Sequence, residues 1–218
     1  MAKEESKSLF ATLQYLGRGQ GETSETANLT SSGGCSCCGH PVVVMASRSP
    51  QRSRLFKQHL GVPVELRPST YEEAAAQHAS DCRKSSVVVA ADTVVDLEGS
   101  LLEQPRDAAE AREMLRLLQG NCHWVHTAVC IYTRQTLRRG AAAAFVRSTR
   151  VEFKPLSDED IEAYVASKEP LGKAGAYGLQ GVGGCFVASV NGCSQNVVGL
   201  PVSDLAAALT ALHSRGLL

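Results

Sequence analysis

The sequence predicts an α/β fold, a mixed or parallel β-sheet covered by helices, on three observations. Short continuous apolar runs at 42–45 (VVVM) and 87–91 (VVVAA) read as strands buried on both faces. Between such runs lie segments with apolar residues at helical spacing, each opened by a capping signal. The two kinds alternate along the chain, which is the order expected of a sheet covered by helices on both sides.

The elements follow in turn. After the first strand, Ser49 and Pro50 form an N-cap followed by proline at the first helical position. Leu55, Phe56 and Leu60 give that helix its apolar face, and Gly61 ends it. Residues 62–66 predict a second strand. The run at 87–91 closes on Asp92-Thr93-Val94-Val95, and Asp96-Leu97-Glu98-Gly99 has turn chemistry. Asp107 with Glu110 has the form of a capping box with Asp in the Ser/Thr place. Ala111, Met114, Leu115 and Leu118 recur at helical spacing, with Gly120 just past the end. Residues 125–132 and 146–153 read as strands. Ser157 begins a helix carrying Ile161, Tyr164 and Val165; residues 197–200 are short and apolar; Ser203 caps a last helix with Leu205, Leu209 and Leu212 inside.

Composition narrows the function. Twenty-two basic side chains balance 22 acidic ones, so the basic excess of a general nucleic-acid or membrane-surface binder is absent. No apolar run approaches the roughly 20 residues that span a bilayer, and residues 1–20 hold no apolar signal-peptide core. The expected location is cytoplasmic, with Cys82, Cys122, Cys130, Cys185 and Cys193 reduced. Residues 17–40 are rich in Gly, Ser and Thr with almost nothing apolar to bury. Residues 1–41 therefore read as a flexible low-complexity extension and 42–218 as the folded domain. Cys35, Cys37, Cys38 and His40 are four soft ligands in six residues, but C-x-C-C-x-H lacks the C-x₂-C pairs of a tetrahedral zinc site. A reduced tail is the plainer reading, and a zinc-dependent interaction module its rival.

Three stretches carry candidate chemistry. Residues 46–54, ASRSPQRSR, hold three arginines and no acid where a strand turns into a helix. Backbone N–H groups and the positive helix end favour an anion there, Ser47 and Ser49 add hydroxyls, and the planar fork of Arg52 suits phosphate oxygens. This is a phosphate cradle, against the plain alternative of a solvated helix start; the Walker A pattern is absent. Asp92 ends an apolar strand, where ligands gather in open α/β sheets. Its carboxylate can hold Mg²⁺ or take a proton from water, or it can be satisfied by turn N–H groups. The third stretch, 169–184, has six glycines in sixteen residues, so several positions need positive φ or the close approach of something. Lys173 is its cation, and Gln180 an amide able to orient water or read a base edge. His123 and His126 fall on opposite faces of a strand, so one metal ion does not hold both and they read as structural.

In order, the segments VVVMASRSPQRSRLF, VVVAADTVVDLEGSLLEQPRDAAEAREMLRLLQGNCHWVHTAV, VEFKPLSDEDIEAYVASKEPLGKAGAYGLQG and NVVGLPVSDL resemble the Maf family of nucleoside-triphosphate pyrophosphatases, also called septum-formation-inhibitor homologues. The resemblance covers most of residues 42–212. It implies an elongated α/β fold with a mixed sheet, two lobes and a central cleft. It implies hydrolysis of a nucleoside triphosphate between the α- and β-phosphates, with Mg²⁺ or Mn²⁺ as cofactor, house-cleaning of non-canonical nucleotides, and a homodimer. Asp92 matches the family's presumed base or metal-linked carboxylate. Ser47, Ser49 and Arg52 match its S-x-S-P-R-R loop, and Lys173 to Gly181 its K-A-G-x-Y-G-x-Q-G loop, with Lys173 and Gln180 catalytic. Thr93, Gln104 and Glu73 complete the substrate contacts, although either Glu72 or Glu73 can match the acid in that region. D-T-V together with K-A-G-A-Y-G-L-Q-G looks like the branch acting on dTTP and UTP. Three departures stand out: Gln51 replaces the first loop arginine, Gln104 replaces a lysine before Pro105, and the segment 74–86 is short. They leave a second reading open, a catalytically weakened nucleotide-binding protein that regulates division or growth.

Overall fold

Strand β1, Val42–Ala46, runs into the Ser49 cap and helix α1, Pro50–Leu60. The computed structural model describes Leu16, which is helical and buried, and residues 42–47, 49–62, 64–66, 86–137 and 139–218. Glu72, Glu73, Arg48, Cys82, the Cys35–His40 cluster and nearly all of the shortened 74–86 segment lie outside the described residues.

Seven strands pair in the order β2 (Val64–Leu66), β1, β3 (Ser86–Leu97), β5 (Cys122–Thr133), β6 (Ala143–Phe153) and β7 (Val187–Asn191), with β4 (Ser100–Leu102) on β3. The β2–β1–β3 pairs are parallel, and β3–β4 and β6–β7 antiparallel, so the sheet is mixed, as the family resemblance implies. By contacts the chain divides into two compact units, Met1–Ala90 with Val129–Ala144 and Val202–Leu218, and Ala91–Ala128 with Phe145–Pro201.

In the first unit, β1 pairs with β2 (Val64–Leu66) and with the start of β3 (Ser86–Leu97), in register from Val42↔Ser86 to Ala46↔Ala90. Parallel neighbours need a crossover, and α1 supplies it between β1 and β2. The Ser49 hydroxyl caps α1, Pro50 occupies its first turn, and Gly61 closes it at φ 61° with its N–H on the Lys57 carbonyl. Leu55, Phe56 and Leu60 are buried, and α1 packs on the last helix. Val44, Ala46, Val88 and Tyr132 form a further apolar cluster.

The second unit begins at Ala91. Strand β3 does not stop at Asp92: it continues to Leu97 and turns at Glu98-Gly99 into β4, Ser100–Leu102. The Asp96 carboxylate closes that turn by accepting the Gly99 N–H at 2.7 Å. Period-two alternation through Asp92-Thr93-Val94-Val95 carries the strand on, with Val95 in the core. Helix α2, Ala108–Leu118, buries Ala111, Met114, Leu115 and Leu118. Its Asp107 cap accepts the Glu110 N–H, but the Glu110 carboxylate returns to the N–H of Arg106, one residue before the cap. Strands β5 (Cys122–Thr133) and β6 (Ala143–Phe153) follow, then α3 (Asp158–Ala166), where Ser157 and Asp160 make a complete capping box. Strand β7 (Val187–Asn191) pairs with β6, and α4 (Ser194–Val198) ends at Gly199 in the left-handed region. Helix α5, Val202–Ser214, belongs to the first unit and starts two residues earlier than a Ser203 cap predicts. Among the described residues no helix is long and apolar enough to cross a membrane. Cys122, Cys130, Cys185 and Cys193 are free thiols.

The β5 histidines part as predicted. His126 faces outward, its Nδ1 2.7 Å from the Ser148 hydroxyl. His123 faces inward, with Nε2 2.9 Å from the Tyr177 hydroxyl and its ring edge-on to Phe153. Burial lowers the His123 pKa to about 4. The unfolded residue titrates near 6.5. Between those values the unfolded chain binds a proton that the native protein does not, so stability falls as pH drops from about 6.5 to 4, by on the order of 3 kcal/mol. Urea-unfolding midpoints measured across this window should fall in the wild-type protein and flatten markedly in His123→Gln.

Candidate active site

In the first unit, the turn after β1 folds on itself. The Ser47 hydroxyl oxygen accepts the Ser49 N–H at 3.1 Å and an Arg52 Nη1–H at 3.1 Å. With two donors on its oxygen, what that hydroxyl has left to offer is its hydrogen. Arg52 is buried, one turn into a helix whose first turn has no acid, so its guanidinium and the helix end present the same sign. Ser49 accepts the Arg52 N–H at 3.5 Å and donates its own hydroxyl to Gln51 Oε1 at 3.1 Å. Gln51 is thus engaged with the cap residue.

In the second unit, Asp92 lies in the middle of β3 and is exposed, its Oδ1 accepting the Thr93 N–H at 2.9 Å. Successive strand residues point to opposite faces, so Thr93 turns the other way. Its hydroxyl meets that of Thr127 on β5 at 3.0 Å, and Thr127 donates to the Asn196 carbonyl. The Asn196 side chain, fully buried, donates to the Val125 carbonyl and the Thr149 hydroxyl. Strand β3 is therefore pinned beside Asp92 by a buried polar chain reaching α4.

The glycine-rich segment packs on the same unit. The Gly175 N–H donates to the Glu103 carbonyl at 3.1 Å, which joins the loop bearing Gln104 to the loop bearing Lys173. Gly175 has φ +68°, and a Cβ there would lie 2.8 Å from a methyl of Val95 on β3. Glycine is required on both counts. The Lys173 ammonium donates to the Glu169 main-chain carbonyl. Burial lowers its pKa, and Glu169 opposes that shift. Gln180 is exposed on a turn closed by the Gly181 N–H on the Gly178 carbonyl.

The predicted site residues fall into two sets. Ser47, Ser49 and Arg52 are in the first unit; Asp92, Thr93, Gln104, Lys173 and Gln180 are in the second, on elements knitted together through Gly175; Glu73 is outside the described residues. Among the described residues no three His, Cys, Asp or Glu side chains gather as a metal cluster. Sequence reasoning missed Thr127, Asn196 and Glu169. The signal for Glu169 was present in three of the glycines, Gly178, Gly181 and Gly183, whose close approach proves to be to this side chain and its partners.

The Maf-like protein family profile matches residues 42–212, most of the chain. This chain belongs to the Maf family. Three relatives bear the name dTTP/UTP pyrophosphatase. One from Anaeromyxobacter sp. is 44% identical over 179 residues, 75% of this chain and 86% of its own length. One from Salmonella typhimurium is 45% identical over 179 residues, 73% and 87% respectively. One from Carboxydothermus hydrogenoformans is 41% identical over 178 residues, 75% and 94%. The matched span includes Ser47–Arg52, Asp92–Thr93 and Lys173–Gly181.

The glycine loop makes a steric prediction. Gly181 has φ −113°, open to any residue, yet a Cβ there would sit 2.1 Å from Glu169 Oε1. Gly181→Ala should cost about 1–3 kcal/mol by displacing that carboxylate, read as a lower thermal midpoint. A Gly99→Ala control, at φ +89° with nothing within 4 Å of its Cβ, carries only the backbone penalty.

Proposed function

We propose that this protein hydrolyses dTTP and UTP between the α- and β-phosphates, giving the nucleoside monophosphate and pyrophosphate. The substrates come from the names of its relatives. The observation that carries the chemistry is the second unit, where an exposed carboxylate, a half-buried lysine and a glycine turn bearing an amide stand on elements packed against one another.

Each residue takes a role from its own chemistry. A triphosphate brings about four negative charges, and hydrolysis develops further charge on the departing pyrophosphate. The Lys173 stem lies against Gly178, and its ammonium stabilises that charge. Arg52 and the α1 start bind phosphate oxygens, with the Ser47 hydroxyl hydrogen as a further donor. Asp92 accepts a proton from the water that attacks the α-phosphorus, as the bond from that phosphorus to the bridging oxygen breaks. Gln180 orients the water and Gln104 lines the substrate, while Thr93, whose hydroxyl turns to Thr127, holds the strand that carries Asp92. Glu73 joins them by family resemblance alone.

A divalent cation fits this donor set. Mg²⁺ commonly takes one or two protein carboxylates, with phosphate oxygens and water completing its shell. Asp92 is one exposed carboxylate, suited to a metal that arrives with the triphosphate. When bound, Mg²⁺ or Mn²⁺ supplies charge neutralisation of the phosphates. The family resemblance also carries the proposals of a homodimer, a cytoplasmic location, house-cleaning of non-canonical nucleotides, and a catalytic domain at 42–218 behind an extension at 1–41.

Gln51 favours a second reading. Where the family's loop carries arginine, this side chain takes the Ser49 hydroxyl instead. A charge-assisted bond is worth roughly 1.5–3 kcal/mol, and its loss from the transition state slows turnover by about 10- to 100-fold. In the weakened-protein reading, dTTP binds and pyrophosphate does not form.

A panel of nucleoside triphosphates assayed for pyrophosphate separates the two. Release from dTTP and UTP with Mg²⁺ is expected, with loss on adding EDTA and in Asp92→Asn. Nucleotide binding without release above the Asp92→Asn background establishes the second reading. Arg52→Ala should weaken dTTP binding by about 10-fold or more and dTMP binding much less; equal weakening speaks against a polyphosphate cradle.

A further inference from the structure

We propose that Glu169 is a positioning residue that fixes both Lys173 and the Gln180 turn for reaction, an inference that rests on the pyrophosphatase reading above. Its carboxylate is a hub. Oε1 accepts the Tyr164 hydroxyl at 3.1 Å and the Gly183 N–H at 3.3 Å, and Oε2 accepts the Val182 N–H at 3.1 Å. The Tyr164 hydroxyl oxygen in turn accepts the Gly178 N–H at 3.3 Å. Gln180 therefore lies between two anchored points, Gly178 on one side and Val182-Gly183 on the other. The Glu169 main-chain carbonyl accepts the Lys173 ammonium, so the same residue sets the lysine head.

Three glycines are shaped around this hub. A Cβ on Gly178 would lie 2.7 Å from Lys173 Cε, one on Gly181 2.1 Å from Glu169 Oε1, and one on Gly183 2.5 Å from the Tyr164 hydroxyl. None of the three adopts positive φ, so their smallness serves close approach. Burial alone would raise the Glu169 pKa; the N–H groups of Val182 and Gly183, the Tyr164 hydroxyl and Lys173 together hold it below its ordinary value. The carboxylate is thus kept charged in the form that needs those donors. Tyr164 reaches it from the buried face of α3, where its ring lies edge-on to Phe186, so the turn is tied to the core of its own unit.

Glu169→Gln leaves the volume and replaces one acceptor oxygen with a donor, which faces an N–H or the tyrosine hydroxyl. It should lower kcat/KM for dTTP by about 10- to 100-fold while far-ultraviolet circular dichroism stays native. Tyr164→Phe, which keeps the ring packing, should lower it by about 3- to 10-fold. The carboxylate acts through the Gln180 turn, whereas the main-chain carbonyl on Lys173 is kept in Glu169→Gln, so the effect of this variant is lost when the Gln180 amide is absent. In a Gln180→Ala background, Glu169→Gln should therefore change the residual rate by less than about 3-fold. Losses that multiply, or a wild-type rate in Glu169→Gln, overturn the proposal. Amide exchange at Val182 and Gly183 should be at least about 10-fold faster in Glu169→Gln, and unchanged exchange overturns it equally. If the wild-type protein releases no pyrophosphate from dTTP or UTP, the function fails, and exchange alone decides whether Glu169 clamps the turn.

Discussion

A carboxylate drawn part-way out of water must find donors, and the second unit is arranged around that need at Glu169. Leaving a buried polar group without its partner costs about 1–3 kcal/mol. The donors come from backbone that side chains would otherwise hold at a distance. The Val182 and Gly183 N–H groups approach because Gly181 and Gly183 carry no Cβ, and Tyr164 approaches from α3. Three of the six glycines of residues 169–184, Gly178, Gly181 and Gly183, thus leave room for this acid and its partners. A Gly-rich segment usually implies a mobile one. Here close packing removes the freedom glycine would give, and Gly175 is further wedged against Val95.

The start of α1 shows the same economy with opposite charge. Proline at the first helical position removes a donor that the helix could not use, and Ser49 caps the turn. Ser47 gathers the Ser49 N–H and the Arg52 guanidinium, which draws a long cationic side chain inward beside the positive end of the helix. Such a concentration of like sign, with no acid in the first turn, favours an anion over a neutral ligand. Arg54, two residues on, is exposed, so of these two arginines only Arg52 combines charge with fixed direction.

Local chemistry was legible wherever one or two neighbouring residues decide the outcome. Ser49-Pro50, Gly61 and the Asp96–Gly99 turn act within four residues, and each takes its expected role; Ser157 starts its helix as expected. The H-x-x-H pair splits between faces because strand periodicity alone dictates it. The end of β3 was misplaced because an acid in an apolar run looks like a terminus. What sustains the strand is pairing with β4, a partner that enters only after the turn. At Asp107 the cap was legible but the return bond was not, since Glu110 finds Arg106 as both an amide and a guanidinium partner. Glu169 and Asn196 escaped notice for one reason. Their partners lie on segments brought close by the fold, at separations that no spacing rule covers.

The placement of Asp92 follows from its neighbour. In a strand with period two, a one-residue slip exchanges the faces of every side chain. Thr93 is held on the inner side by Thr127, which is tied to Asn196, which is tied to Thr149. That chain of buried polar groups is satisfied only in one register; even there Asn196 Oδ1 has no hydrogen-bond partner among the described residues. A slip would bury the Asp92 carboxylate among these groups and expose Thr93, and burying an unpaired charge is far more costly than any single hydrogen bond. The half-buried Thr93 thus fixes the register that keeps the acid on the open face, where a reacting water can reach it.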